Sequence, residues 1–354
     1  MARKTFTLTL EPVAACNLDC AYCYAHREAA SPPDADRFVA ALDQVAMYAA
    51  AHGCDGLDCV WLGGEPLLAG IDFFTRMTTW TAPAASRIDV RHFVQTNGMA
   101  LDGAWCRLLR EADVRLGLSL DGPRDIHDAF RRGPGGAPTF ARVMDALGML
   151  RRHGVPFGCV AVVTRQTLGR ERDIYDFFCG LGCGFRINPV IPGPESADRA
   201  ARITPEEYGG SLVRYFDAWN VARPDRVNIS PLDNYAVSLL GGALQECQQR
   251  DSCARLSLGI KPNGDVVRCG RFQDRVLGNL ADTTVEALLA GGKDDAFDGR
   301  ADALAGCHAC AWWKQCHGGC PHNAVAFGRD IRDKDPFCAA YKMIFSHITS
   351  ALSL

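Results

Sequence analysis

Three thiols stand within eight residues in Cys16-Asn-Leu-Asp-Cys20-Ala-Tyr-Cys23. Thiolates are soft ligands that suit iron, and a loop this short can wrap one face of a cubane iron–sulfur cluster. A cubane has four irons, so three cysteines leave one iron open to a chelating molecule. The alternative is a structural zinc loop. A closed zinc site needs four ligands, and the one nearby candidate for the fourth is His26.

A second thiol system fills the C-terminal third. It runs Cys247-x5-Cys253-x15-Cys269, then Cys307-x2-Cys310-x5-Cys316-x3-Cys320-x17-Cys338. These eight cysteines are the number two fully ligated cubanes require, although C-x2-C knuckles also build zinc ribbons. His308, His317 and His322 lie among them and read as neighbours of the ligands or as surface residues. The other six of the seventeen cysteines (Cys54, Cys59, Cys106, Cys159, Cys179 and Cys183) are scattered and read as small buried hydrophobes. So many thiols in a long chain point to metal or catalysis in a reducing compartment rather than to disulfides.

The elements that must position these groups alternate regularly. Strands are expected at 5–10, 57–62, 88–95, 114–120, 157–163 and 184–189. Helices are expected at 36–52, 72–80, 101–112, 139–153 (with Thr139 as N-cap) and 171–181. Such βα alternation means parallel strands joined by crossover helices. In parallel barrels the chemistry gathers at the C-terminal ends of the strands. There the sequence places the cysteine loop, Gly63-Gly64-Glu65-Pro66, Thr96-Asn97-Gly98 and Ser119-Leu120-Asp121-Gly122-Pro123, with Arg131-Arg132 further on. A Pro/Gly break at 191–198 ends the pattern. Thr204-Pro205 then opens a helix to about 219, another is expected at 234–244, and Asn263-Gly264 turns a β-hairpin between 256–260 and 266–268.

The charge of -3, from 38 basic and 41 acidic residues, argues against a nucleic-acid or anionic-membrane partner. No apolar run reaches the roughly 18–20 residues of a membrane span. The N-terminus lacks a signal peptide's apolar region. A cytoplasmic protein is expected.

The cysteine loop together with the Gly-Gly-Glu-Pro turn resembles the radical S-adenosylmethionine (SAM) superfamily, and the C-terminal thiols resemble its SPASM extension. The resemblance implies an α/β fold, a partial (β/α)6 barrel over 1–195, a helical linker over 196–245 and a SPASM domain over 246–354. It implies three 4Fe–4S clusters and SAM. Cys16, Cys20 and Cys23 would hold the first cluster. Cys247, Cys253, Cys269 and Cys320 would hold one auxiliary cluster, and Cys307, Cys310, Cys316 and Cys338 the other. Gly63, Gly64, Glu65 and Pro66 would meet the methionyl amino group of SAM. Asn97 and Ser119 would meet its ribose and carboxylate, Tyr22 would lie near its adenine, and Arg131 near its carboxylate. One electron would cleave SAM to a 5′-deoxyadenosyl radical that takes hydrogen from a peptide or protein side chain. The electron would come from an external donor such as flavodoxin or ferredoxin.

Within the superfamily the chain most resembles anaerobic sulfatase-maturating enzymes, which oxidise a cysteine or serine to formylglycine. It departs from them at one position. Their residue after the third cysteine of the first auxiliary set is an aspartate, the proposed base, whereas Cys269 is followed by Gly270. Asp274 and Asp265 are the nearby substitutes. The alternatives are a crosslinking enzyme for a ribosomally made peptide and an oxidase of a small metabolite. The crosslinking enzymes often carry a recognition domain before the cysteine loop, where this chain has fifteen residues.

Overall fold

In the computed structural model the described residues are all but 1–3, 26–30, 193–198, 222, 245, 251–252, 254, 273, 291–296, 298 and 354. Most of the Pro/Gly break and His26 lie outside them.

The strands β1 (Thr5–Leu10), β2 (Gly56–Trp61), β3 (Asp89–Thr96), β4 (Arg115–Ser119), β5 (Phe157–Val163) and β6 (Phe185–Pro189) lie side by side, all parallel. They are joined by α1 (Ala35–Ala51), α2 (Ile71–Thr79), α3 (Gly103–Glu111), α4 (Arg124–Phe130), α5 (Phe140–Arg152) and α6 (Glu171–Gly180). The βα alternation expected from the sequence is therefore the observed architecture, with boundaries moved by only a residue or two.

Alternation along each strand decides what each face does. In β1, Phe6, Leu8 and Leu10 are buried while Thr5, Thr7 and Thr9 are half-buried. The buried face carries the helices. Trp61 packs on Phe38 of α1 at 6.1 Å and on Phe73 and Phe74 of α2 at 5.8 and 5.4 Å between ring centroids. Burying each such side chain is worth about 1.5–3 kcal/mol. The opposite face is polar and half-open. Asp58 and Arg91, register partners on β2 and β3, form an ion pair there at 2.8 Å.

The sheet does not stop at β6. A short β7 (Ile229–Ser230) extends one edge, and β8 (Ser257–Ile260) pairs in parallel with β1 at the other. The expected hairpin follows as β8 and β9 (Asp265–Val267), with Gly264 at φ +87° in the turn, and β10 (Val276–Asn279) completes ten strands. The C-terminal thiol region is thus welded onto the strand that leads into the cysteine loop.

Helix α7 (Pro205–Trp219) starts as its sequence dictates, with Thr204 and Glu207 in a reciprocal capping box and Pro205 in the first turn. Helix α8 (Leu232–Leu239) is shorter than expected, because the chain reaches Gly241 at φ +90°. The C-terminal helix Cys338–Ala351 packs on α7, where Tyr208 meets Phe337 at 5.2 Å. Thr139 precedes α5 but makes no side-chain cap bond. Its hydroxyl donates instead to the Arg131 carbonyl at 2.7 Å.

Candidate functional site

The cysteine loop is seated by the glycine pair after β2. A Cβ on Gly64 would fall 2.1 Å from the Ala15 carbonyl oxygen. Glycine at 64 therefore allows the segment entering Cys16 to lie against the end of β2, where the Glu65 N–H donates to that same Ala15 carbonyl at 2.8 Å. Gly63, at φ +136°, leaves the space that Glu11 fills: a Cβ there would meet Glu11 Cγ at 2.8 Å.

Glu65 is fully buried. Its carboxylate accepts from Thr96 Oγ1 at 2.7 Å and from the N–H groups of Asn97 and Leu67 at 2.8 and 3.1 Å. Burial pushes its pKa up to about 7 against those three donors. Asn97 turns its amide to Asn17 Oδ1 at 2.8 Å and to Cys16 Sγ at 3.7 Å. The ends of β2 and β3 thereby grip the first cysteine. Pro66 is buried in the turn after Glu65, and Ser119, at the end of β4, accepts from Gln95 at 3.0 Å.

On the other side of the loop, Asp19 and Ala21 donate backbone N–H groups to the carbonyls of Arg132 and Phe130 at 2.7 and 2.9 Å. Beneath them lies a buried triad. Tyr22 donates its hydroxyl to Asp121 Oδ2, Arg131 Nε stands 3.1 Å from the same oxygen, and the Arg131 guanidinium lies 5.4 Å from the Tyr22 ring centroid. Asp121 also accepts from the Val162 N–H at 3.0 Å. Arg131 thus meets a carboxylate of the protein, Asp121, and Arg132 is exposed. His127, held against Thr139 at 3.1 Å, is kept neutral by burial, which lowers its pKa to about 4.

The C-terminal thiols form two neighbourhoods. Cys253 lies within electrostatic reach of Cys247, Cys320 and Cys269, and Cys316 within that of Cys338 and Cys307. Burial pushes Cys20 and Cys269 up to about 11 and Cys316 to about 12. Buried thiols of this kind become ligands when a cation displaces the proton. Among the described residues no three His, Cys, Asp or Glu side chains converge as a single metal ion requires. Thiols gathered in this way are the donor set that an iron–sulfur cluster takes. Asp335 anchors this region: it accepts from the Cys320 N–H at 2.8 Å, Asn323 at 2.9 Å and the Tyr341 hydroxyl at 3.1 Å. All six scattered cysteines are buried. His308 is exposed, and His317 is bound to the Gln249 carbonyl at 2.8 Å.

The structure gives the two substitute aspartates different surroundings. Asp265 is tied into the hairpin by the amides of Asn263 and Asn279 at 2.8 and 3.0 Å, and Asp274 is exposed. Gly270 instead lines a small cleft with Thr9, Glu11 and Lys261. Glu11, which sequence reasoning passed over, is the carboxylate there. It sits one residue beyond β1, where the barrel rule could have found it.

The radical SAM superfamily profile matches residues 10–178, and that of the SPASM iron–sulfur cluster-binding domain matches 247–316. The chain is a radical SAM/SPASM protein. A serine-type anaerobic sulfatase-maturating enzyme of Bacteroides thetaiotaomicron is 26% identical over 98% of this radical SAM/SPASM chain and 90% of the relative. A cysteine-type enzyme of Clostridium perfringens is 27% identical over 96% and 95%. The structure of native anSMEcpe with bound AdoMet and Cp18Cys peptide covers 99% of this chain and 98% of its own, at 25% identity and a TM-score of 0.85. Streptococcus suis SuiB shares the fold at 18% identity and a TM-score of 0.66, over 95% and 77%. This radical SAM/SPASM protein is an iron–sulfur, SAM-using oxidoreductase. No helix among the described residues is long and apolar enough to cross a membrane.

Proposed function

We propose that this enzyme modifies a side chain of a peptide or protein after translation, by radical SAM chemistry of the sulfatase-maturation type. The observation that carries the reading is the seating of the cysteine loop. Gly64, Glu65 and Asn97 fix Cys16 at one end of the parallel strands, beside the open polar face of the sheet.

In this reading Cys16, Cys20 and Cys23 hold the cluster that meets SAM. The sets Cys247, Cys253, Cys269, Cys320 and Cys307, Cys310, Cys316, Cys338 hold two auxiliary clusters. When bound, SAM and the reduced cluster supply a hydrogen-abstracting radical. The chain's own residues do the rest. The Gly63–Glu65 turn would meet the amino end of SAM, and Asn97 and Ser119 would meet its polar edge. The Asp121–Arg131–Tyr22 triad holds the loop rigid beneath it, so that the reacting groups stay aligned. Glu11, in the cleft that it shares with Gly270, would take the substrate proton. An electron donor such as flavodoxin or ferredoxin and a reducing cytoplasmic setting accompany the reading. The seventeen cysteines of a chain this long support that setting.

The test is a mass spectrum of a peptide carrying Cys-x-Pro-x-Arg after incubation with the reconstituted enzyme, reductant and SAM under anaerobic conditions. Conversion of the cysteine to an aldehyde is expected. Deoxyadenosine without any change in the peptide would refute the sulfatase-type substrate. Crosslinking of a dedicated precursor peptide is the second reading, favoured by Gly270 alone.

A further inference from the structure

Three sequence neighbours of cluster cysteines interlock across the two halves of the chain. Tyr24 follows Cys23, Arg271 lies two residues after Cys269, and His322 lies two after Cys320. The Arg271 guanidinium donates from Nη1 to Cys320 Sγ at 3.5 Å and stands 5.6 Å from the Tyr24 ring centroid. The Tyr24 ring meets His322 edge-on at 6.0 Å, and His322 meets Phe272 at 5.2 Å. Arg271 is half-buried in this stack.

We propose that Arg271 is a positioning residue that sets the reduction potential of the cluster held by Cys247, Cys253, Cys269 and Cys320. Reduction adds one negative charge to a cluster, and potentials follow net charge and the hydrogen bonds made to the sulfurs. A guanidinium cannot lose its charge at any working pH. A permanent cation donating to a ligand sulfur therefore favours the reduced form and raises the potential. The residue between Cys269 and Arg271 is glycine, so no carboxylate on that residue offsets the charge. The cluster so tuned is suited to accept an electron, and Tyr24 gives it a packed contact to the loop that ends in Cys23.

The inference rests on the radical SAM/SPASM reading, and two variants of the full-length reconstituted protein test it. Midpoint potentials are taken by redox titration followed by electron paramagnetic resonance, with iron content measured alongside. In Arg271→Gln one cluster moves to lower potential and the others stay in place. In Arg271→Lys, which keeps the charge but not the planar fork, the same cluster moves in the same direction by less. Should the Gln variant fail to hold iron, the Lys variant decides alone. An unmoved midpoint at full iron content overturns the proposal. If the unaltered protein binds iron only through Cys16, Cys20 and Cys23, the reading of the C-terminal thiols fails instead.

Discussion

A Cβ on Gly270 would stand 2.3 Å from the Thr9 hydroxyl oxygen and 2.8 Å from Thr9 Cβ. The residue after Cys269 is thus closed to any side chain by the first strand of the sheet. Thr9 is itself held by a hydrogen bond to the Leu258 carbonyl at 3.1 Å. Gly270→Ala should cost about 1–3 kcal/mol, the range for forcing extra atoms into a packed site. In a Thr9→Gly background that added cost should vanish. Urea unfolding of the four proteins measures the coupling; equal costs in both backgrounds would refute the clash.

Gly64→Ala should displace the segment entering Cys16, since the new methyl meets the Ala15 carbonyl at 2.1 Å. The expected readout is iron per chain, lowered by the share of the first cluster. Gly180→Ala, where no heavy atom comes within 4 Å, serves as the control and should keep full iron.

Glu65 gives the SAM-free protein a particular pH dependence. Its pKa is raised in the fold from 4.5 to about 7, so the folded chain holds the proton over a range where the unfolded chain has lost it. Stability from this group is full below pH 4.5 and is lost as pH rises through about 7, at up to about 1.4 kcal/mol per unit. Melting temperatures of the wild type should therefore fall across that window more steeply than those of Glu65→Gln. Parallel curves would contradict the assignment.

The Asp121–Arg131 pair is buried, with side chains 3% and 10% exposed. Removing one partner leaves an uncompensated buried charge, so Arg131→Met should cost about 3–5 kcal/mol. Tyr22→Phe, which loses one hydrogen bond to a charged group, should cost about 1.5–3 kcal/mol. Denaturant midpoints should rank the two in that order.

Glu11→Gln tests the proton acceptor. Loss of a general base lowers turnover by about 10²–10⁴-fold. Product should fall by that factor while SAM cleavage without product continues. Parallel loss of both would assign Glu11 to SAM binding.

Period-two and period-3.6 patterns made β1–β6 and the helices α1–α3 and α5–α7 legible, because each pattern repeats within one element, whereas the seven-residue α4 is too short to show a period and was not expected. The cysteine loop and the Gly63–Pro66 turn were legible for the same reason: their spacing is local. The partner of Arg131 was not. The resemblance pointed to Arg131 itself, and only the fold reveals Asp121 beside it. The Thr9–Gly270 contact, the Arg271–Tyr24 stack and the β1–β8 ladder join residues hundreds of positions apart, and no local period records such a meeting. Helix α8 ended early because a glycine in the left-handed region outweighed the helical pattern around it.

The ladder between β1 and β8 also orders events during synthesis. When the barrel's six strands have left the ribosome, β1 still lacks the neighbour that will cover one of its edges, because Leu258 is 249 residues from Thr9. A nascent chain thus carries an open strand edge, the feature through which unfinished sheets pair with the wrong chain. Its closure waits until the first auxiliary cysteines have also emerged, so completing the sheet and gathering the thiols for iron become one late step.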